Sequence, residues 1–247
     1  HVTTVSEQWC GVSVAGPKSR ECISKIVEDP NVMINENLPF MGVIETTLQS
    51  GILCRIARIS FSGEMAFEIY VLSDYATTMM DMLWKEAQAV DGCLYGLEAL
   101  GALRIEKGHV TGAELDGRVT IEDAGLGRMA STKKSYIGSA MRKRGVLSNE
   151  DREKLVGVFP KNQKETFDAG SILCKPAELK GFGVGRITSV THSPALGHWI
   201  GLGLITGGHE LWKGKTLVAA DPVRNKNVEV QVVAPHMFDP EGERVHG

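Results

Sequence analysis

The chain contains 247 residues, of which 43% are hydrophobic and 23% are charged, and its formal net charge is -3. This length allows one large domain or two smaller ones, and the apolar content with balanced charge excludes wholesale disorder. The small acidic excess also argues against a dedicated nucleic-acid-binding protein, because such proteins usually carry an excess of positive charge.

The cysteines and the lack of a long apolar segment indicate a protein of the cytoplasm. The 5 cysteines are far apart and include no Cys-X-X-Cys pair, so we expect free thiols and neither a disulfide framework nor a metal site. Residues 187–208 lack Asp, Glu, Lys and Arg, but Pro194 and many Gly, Ser and Thr residues interrupt this run, so we expect no membrane span. The chain begins at His1 without a signal-peptide pattern, which favours a segment of a longer protein.

The first half of the chain predicts alternating strands and helices. Strands are predicted at residues 9–16, 42–49, 52–60 and 66–72; the middle two show apolar alternation, with Ser50-Gly51 between them as a hairpin turn. Helical spacing predicts one helix that opens at Gly16-Pro17, and two more over residues 73–90 and 94–107.

The sequence pattern changes in the second half of the chain. Residues 109–135 form a glycine-rich irregular tract, and the charged segment 141–154 predicts a helix end followed by an interdomain linker. Short strands separated by Gly, Pro and Asn turns are predicted at residues 154–159, 183–191, 198–206, 215–220 and 227–234. We therefore predict an α+β region over residues 1–143 and a small all-β barrel or sandwich domain over residues 144–247.

Two glycine-bearing segments resemble nucleotide-binding motifs without meeting their requirements. Residues 208–216 carry His209 where a phosphate-binding loop needs glycine, and no helix pattern follows Thr216. Residues 201–207 have the wrong spacing for a dinucleotide fingerprint. His192 and His198 lie on a predicted strand–turn–strand, and we expect no metal there.

Two charged residues stand out as candidates for chemistry. Glu64 follows the Ser62-Gly63 turn between two apolar strands, where its carboxylate either accepts hydrogen bonds from a ligand or lies in solvent. Arg104 shares a predicted buried helical stripe with Leu97 and Leu100. A buried guanidinium needs a partner, which is either a protein carboxylate such as Glu64 or an anionic ligand held by two parallel hydrogen bonds.

Four stretches of the chain together resemble a known family. The segments ARISFSGEMAFEIYV, LRIEKGHVTG, EDAGLGRM and THSPALGHWIGLGLI are similar to the folate-dependent aminomethyltransferases, represented by the T-protein of the glycine cleavage system. The longer segments RIEKGHVTGAELDG and GFGVGRITSVTHSPALG, with the ending FDPEGERVHG, resemble the C-terminal region of α subunits of heterotetrameric sarcosine oxidases. The resemblance runs from near residue 8 to the C-terminus.

The resemblance implies a fold and a set of site residues. The fold is a cloverleaf in which α/β parts, one of them ferredoxin-like, and a C-terminal β-barrel surround a folate site. Glu64 matches the glutamate that grips the pterin ring, Arg104 matches the arginine that reaches the folate, and Tyr70 lies on the strand after the glutamate. The family's catalytic aspartate falls before residue 1, and the chain carries Thr111 and Arg128 where many transferases carry Tyr and Trp.

The resemblance also implies an activity with its cofactors and partners. It implies a tetrahydrofolate-binding portion of an oxidase that captures the one-carbon unit of an oxidised N-methyl amine as 5,10-methylenetetrahydrofolate. Flavin and NAD are then held by other parts or subunits of the parent enzyme, and this chain alone is not active. Two alternatives stay open, an aminomethyltransferase that works with a lipoyl carrier protein and a remnant of the folate site with a structural or assembly role.

Overall fold

A computed structural model describes residues 1–246. Its ten strands in that range are β1 (Trp9–Ala15), β2 (Val43–Thr47), β3 (Leu53–Ala57), β4 (Ala66–Leu72), β5 (Glu153–Pro160), β6 (Ile172–Cys174), β7 (Gly185–Ser193), β8 (His198–Thr206), β9 (Thr216–Asp221) and β10 (Lys226–Val233). The α-helical segments are α1 (Ser19–Ser24), α2 (Ala76–Gln88), α3 (Leu97–Lys107), α4 (His209–Trp212) and α5 (Glu243–His246).

The chain divides into two compact units. Unit 1 comprises residues 1–100 and the C-terminal residues from 241 onward, and unit 2 comprises residues 101–240. Residues 101–143 thus fall in the same unit as the barrel strands, although they belong to no strand themselves. The domain boundary between residues 143 and 144 stays a prediction.

Unit 1 is built on a four-stranded antiparallel sheet in the order β1-β4-β3-β2. Strand residues alternate between two faces, so Phe67 and Ile69 of β4 point to one side and pack with Ile23 of α1 and Met79 of α2. These side chains are fully buried. The opposite face carries Leu53, whose exposed fraction is 76%. The sheet therefore has one face covered by helices and one open face.

Unit 2 contains a closed six-stranded barrel in the order β10-β5-β8-β7-β6-β9. Its interior is filled by apolar side chains from successive strands, among them Val158, Leu173, Ile187, Leu217 and Val230. The prediction of five barrel strands missed β6, because three residues are too few to show a period of two. That short strand pairs with both β7 and β9, and it closes the barrel.

The predicted elements of unit 1 agree with the structure, apart from their ends. The hairpin turn between β2 and β3 contains Gly51 with a φ of +81°, a left-handed conformation that favours glycine. The third helix starts at Leu97, three residues after the predicted start at Leu94. The predicted α+β class with a C-terminal barrel is confirmed.

The two segments that resemble nucleotide-binding motifs, residues 201–207 and 208–216, belong to the barrel unit. Thr216 begins β9, so no helix follows the Gly-Lys-Thr sequence, and residues 201–206 form the second half of β8. Among residues 1–246, no helix is both long enough and apolar enough to cross a membrane.

The core of unit 1 yields a stability prediction. Phe67→Ala is expected to lower the free energy of unfolding of unit 1 by about 3–5 kcal/mol, because it removes a fully buried aromatic ring and leaves a cavity. Leu53→Ala, on the open face of the neighbouring strand, serves as the control and should change it by less than about 0.5 kcal/mol. Urea unfolding followed by circular dichroism measures both, and equal losses would contradict the assignment of the buried face.

Candidate functional site

Arg104 lies near the end of α3 and is held by three hydrogen bonds. Nη1 donates to the backbone oxygen of His109 at 3.2 Å and to Oε2 of Glu114 at 3.1 Å, and Nη2 donates to Oγ of Ser189 at 2.6 Å. Its side chain is 10% exposed, and that of Glu114 is fully buried. Arg104 therefore forms a buried ion pair within unit 2.

Glu114 is the acceptor at the centre of this cluster. Its Oε2 also accepts from the backbone N–H of Thr111 at 2.8 Å and from the Thr111 hydroxyl at 3.1 Å. Its Oε1 accepts from the hydroxyls of Thr188 at 2.7 Å and Ser189 at 2.5 Å. Burial of Glu114 opposes ionisation, but the hydrogen bonds from Ser189, Thr188 and Thr111, together with the Arg104 charge, lower its pKa overall.

The sequence prediction for Arg104 needs two corrections. Its carboxylate partner is Glu114 and not Glu64, because the loop after α3 brings Glu114 back against the helix end. The predicted stripe is also wrong at Leu97, which is 86% exposed. The buried residues of α3 are Arg104, Ile105 and Glu106, because the helix buries its C-terminal end and not one face along its length.

Arg104 keeps donors that its protein partners do not use. A guanidinium carries five N–H groups, and three of them are engaged by His109, Glu114 and Ser189. Within residues 1–246, the Nε–H of Arg104 donates no hydrogen bond. This atom is also absent from the fully buried polar atoms that lack a partner, so it is not completely enclosed by protein. The side chain can therefore bind an anionic group through its remaining donors.

Glu64 lies in unit 1, directly after the turn that joins β3 to β4. Gly63 in this turn has a φ of +85°, and the Ser62 hydroxyl accepts a hydrogen bond from the backbone N–H of Glu64 at 3.3 Å. Oε1 of Glu64 lies 2.6 Å from Nε of Arg244 in α5, and the Glu64 side chain is 19% exposed. Glu64 is therefore a partly buried carboxylate paired with Arg244, and it is not the solvated turn residue that the sequence left as an alternative.

The short helix α5 is attached to the same unit by a second arginine. Nη2 of Arg58, which follows β3, donates to the backbone oxygen of His246 at 2.6 Å. Arg58 is itself buried, and burial lowers its pKa from the ordinary arginine value, with the nearby charge of Arg20 acting in the same direction. This contact places α5, and Arg244 with it, next to the Glu64 turn.

Tyr70 lies on β4, but it does not hydrogen-bond to Glu64. Its hydroxyl donates to Oε2 of Glu68 on the same strand, and this hydrogen bond, with burial and the Glu68 charge, raises the pKa of Tyr70 to about 12. Its ring covers Gly11 on β1, where a Cβ atom would lie 2.6 Å from the ring. Glu64 and Tyr70 belong to unit 1, and Arg104 belongs to unit 2.

The structure adds functional candidates that the sequence interpretation did not single out. Glu114 lies 10 residues after Arg104 in a segment that resembles the family, but this spacing alone does not predict their contact. Thr188 and Ser189 come from β7, far along the chain, and only the fold brings them to the same carboxylate. Among the described residues there is no group of three or more His, Cys, Asp or Glu side chains that could hold a metal ion.

Family models match both parts of the chain. The GCVT N-terminal domain matches residues 1–134, and the glycine cleavage T-protein C-terminal barrel domain matches residues 154–239. The crystal structure of the glycine cleavage system aminomethyltransferase T from Bartonella henselae aligns with a TM-score of 0.76 at 20% identity, over 97% of this chain and 61% of that one. At this identity the structural likeness shows the fold.

Curated relatives extend the comparison to whole sequences. The chain is 36% identical over 251 residues to a sarcosine oxidase subunit alpha from Rhizobium meliloti (strain 1021), and 37% identical over 250 residues to one from Corynebacterium sp. (strain U-96). Each match covers 99% of this chain but only 25% and 26% of those subunits, so the chain spans about a quarter of their length. An aminomethyltransferase from Listeria welshimeri is 31% identical over 94% of this chain and 60% of its own length.

The buried ion pair makes stability depend on pH. Glu114→Gln is expected to lower the free energy of unfolding of unit 2 by about 3 kcal/mol at neutral pH, because it leaves the buried Arg104 without a counter-charge. The folded pKa of Glu114 lies below its ordinary value of 4.5, so this stabilisation is present above that value and is lost as the pH falls through the folded pKa. The difference between wild type and variant therefore shrinks in acid.

Unfolding curves recorded between neutral and acidic pH measure this difference. Glu229→Gln, which removes the half-exposed partner of Lys161, is the control and should have a small effect that salt screens. A wild-type advantage over Glu114→Gln that stays constant into acid would contradict an ionised, stabilising Glu114.

Proposed function

The chain belongs to the glycine cleavage T-protein family, and from this membership we propose that it forms the tetrahydrofolate-binding part of a sarcosine oxidase-type α subunit. The single observation that carries the proposal is the match to sarcosine oxidase α subunits, which extends over 99% of the chain. Identities of 36% and 37% to those subunits exceed the 31% to the Listeria welshimeri aminomethyltransferase, which favours the oxidase branch.

The proposed role is to bind and orient folate, while the oxidation takes place elsewhere in the parent enzyme. Flavin and NAD would be held by other parts or subunits of the parent enzyme, where they would supply the oxidation of the N-methyl amine. Bound tetrahydrofolate supplies the nitrogen nucleophiles that retain the one-carbon unit as 5,10-methylenetetrahydrofolate. A ligand held in one orientation reacts faster because its rotational and translational freedom is already lost on binding.

Glu64 is proposed to accept hydrogen bonds from the pterin ring. A carboxylate has two oxygens with several acceptor sites, and Arg244 engages Oε1. Its other acceptor sites are proposed to bind N–H donors of a ligand.

Arg104 and Tyr70 are proposed as two further folate contacts, each in its own unit. The unused donors of Arg104 can engage a negatively charged group of the ligand in a charge-assisted hydrogen bond. The Tyr70 hydroxyl is occupied by Glu68 and keeps its proton, so its ring is the part that can contact a ligand. Neither residue forms or breaks a covalent bond in this proposal.

The proposed setting is a cytoplasmic multi-subunit enzyme. The relatives are named as α subunits, which supports the association of this chain with other sarcosine oxidase subunits, and nucleic acid and membrane are not proposed as partners. The proposal assigns no catalytic residue to this chain, and the chain is not expected to turn over substrate alone.

Glu64→Ala is the variant that tests the pterin contact. It is expected to weaken tetrahydrofolate binding to the full-length protein by more than ~1 kcal/mol, the scale of one hydrogen bond to a charged group. Glu45→Ala is the matched control, because Glu45 is exposed, lies in the same unit and pairs with Nε of Arg55 at 2.7 Å, much as Glu64 pairs with Arg244. Calorimetric titration measures both affinities.

The outcomes separate the proposed functions. Binding that falls only in Glu64→Ala supports the folate site, whereas unchanged affinity in that variant rules out Glu64 as a contact. Wild-type protein that binds no tetrahydrofolate would leave the structural or assembly role as the better description. Folate binding without any flavin-bearing partner in the purified complex would favour the aminomethyltransferase.

A further inference from the structure

Strand β7 contains a β-bulge at the level of the Arg104 cluster. Ile187 lies opposite Gly203 of β8 and Ser189 lies opposite Leu202, so Thr188 is an extra residue in the pairing. In a regular strand, consecutive side chains point to opposite faces of the sheet. A bulge breaks this alternation and can turn two neighbouring side chains toward one point.

The bulge directs two adjacent hydroxyls to one carboxylate oxygen. Thr188 Oγ1 and Ser189 Oγ lie 2.7 Å and 2.5 Å from Oε1 of Glu114. Ser189 also accepts from Nη2 of Arg104 at 2.6 Å, so its single hydroxyl uses both its donor and its acceptor capacity. The carboxylate and the guanidinium are thus held by the same serine.

Two glycines of β8 make room for the bulged strand. A Cβ atom on Gly201 would lie 2.8 Å from the backbone oxygen of Ser189, and one on Gly203 would lie 2.7 Å from the backbone oxygen of Arg186. Any larger residue at either position would push β7 away. The glycines that resembled a dinucleotide motif therefore have a different role, which is the close approach of β8 to the bulge.

We propose that Ser189 and Glu114 are positioning residues that fix the Arg104 guanidinium, so that its unused donors face an anionic group of the bound ligand. Glu114 holds Nη1 and Ser189 holds Nη2, which together leave the planar fork no freedom to rotate. This inference rests on the proposed function, because it supplies the orientation of a residue that we assign to the folate site.

Glu114 could act by orienting Arg104 or by neutralising its charge, and these two roles predict opposite effects of its removal on anion binding. If Glu114 only neutralised Arg104, its removal would strengthen binding of an anion, whereas loss of a positioning residue weakens it. Ser189→Ala changes no charge and removes one small hydroxyl, so it isolates orientation. It also leaves the ion pair between Arg104 and Glu114 in place, which favours correct folding of the variant.

The experiment is a double-mutant cycle in the full-length protein with tetrahydrofolate as the probe. Ser189→Ala is combined with Arg104→Lys, which keeps the positive charge but loses the planar fork. Ser189→Ala is expected to weaken binding about tenfold when Arg104 is present and less than about twofold when Lys replaces it. Thr191→Val is the matched control, because this β7 hydroxyl donates to the backbone oxygen of His192 and, among the described residues, to no group of the Arg104 cluster. It should leave the affinity unchanged.

A ligand-free crystal structure of Ser189→Ala provides the second readout. The guanidinium of Arg104 is expected to move by more than about 0.5 Å relative to wild type, the tolerance within which binding groups must be held. An unmoved guanidinium, or equal weakening by Ser189→Ala in the Arg104 and Lys backgrounds, would overturn the positioning role. Wild-type protein that fails to bind tetrahydrofolate would overturn the proposed function, and the crystal comparison would still decide whether Ser189 positions Arg104.

Discussion

A buried guanidinium sets the requirements that the rest of unit 2 satisfies. Removing the charge of Arg104 from water costs several kcal/mol, and this cost is offset only if a counter-charge and hydrogen bonds replace the lost hydration. Glu114 supplies the charge, and the backbone oxygen of His109 and the Ser189 hydroxyl supply further acceptors. The cluster therefore connects the end of α3, the loop that follows it and the barrel strand β7.

Two barrel strands, β7 and β8, meet this requirement locally. A regular β7 would present only one of two neighbouring hydroxyls to Glu114, and the bulge at Thr188 presents both. The glycines of β8 permit the close backbone approach that the bulge needs. A second carboxylate, that of Glu106 on α3, accepts hydrogen bonds from the Ser193 hydroxyl at the end of β7 and from the backbone N–H of Ala195 just after it. Helix α3 is thus hydrogen-bonded to β7 through two of its side chains, Arg104 and Glu106.

Unit 1 meets a simpler constraint. Its sheet buries one face under α1 and α2, and the turn between β3 and β4 projects Glu64 at the end of the buried strands. The pairing with Arg244 holds this carboxylate, whose side chain is 19% exposed. Glu64 and Arg104 are held in a similar way. Protein groups occupy part of the hydrogen-bonding capacity of each charged side chain, and the remainder is proposed to bind the ligand.

Local patterns in the sequence were sufficient for most elements of this protein. Alternation along β2 and β3, the glycine turn at Gly51 and the turn residues that separate the short strands after residue 154 depend on neighbours in the chain, so the α+β region and the barrel could be predicted. The residues and the family resemblance also singled out Glu64 and Arg104, whose role as ligand contacts stays a prediction. What only the tertiary structure decided is which groups pair: Glu114 and Ser189 with Arg104, Arg244 with Glu64, and β6 with β7 and β9. The physical reason is that most of these pairings join residues far apart in the chain, where neither periodicity nor spacing carries information.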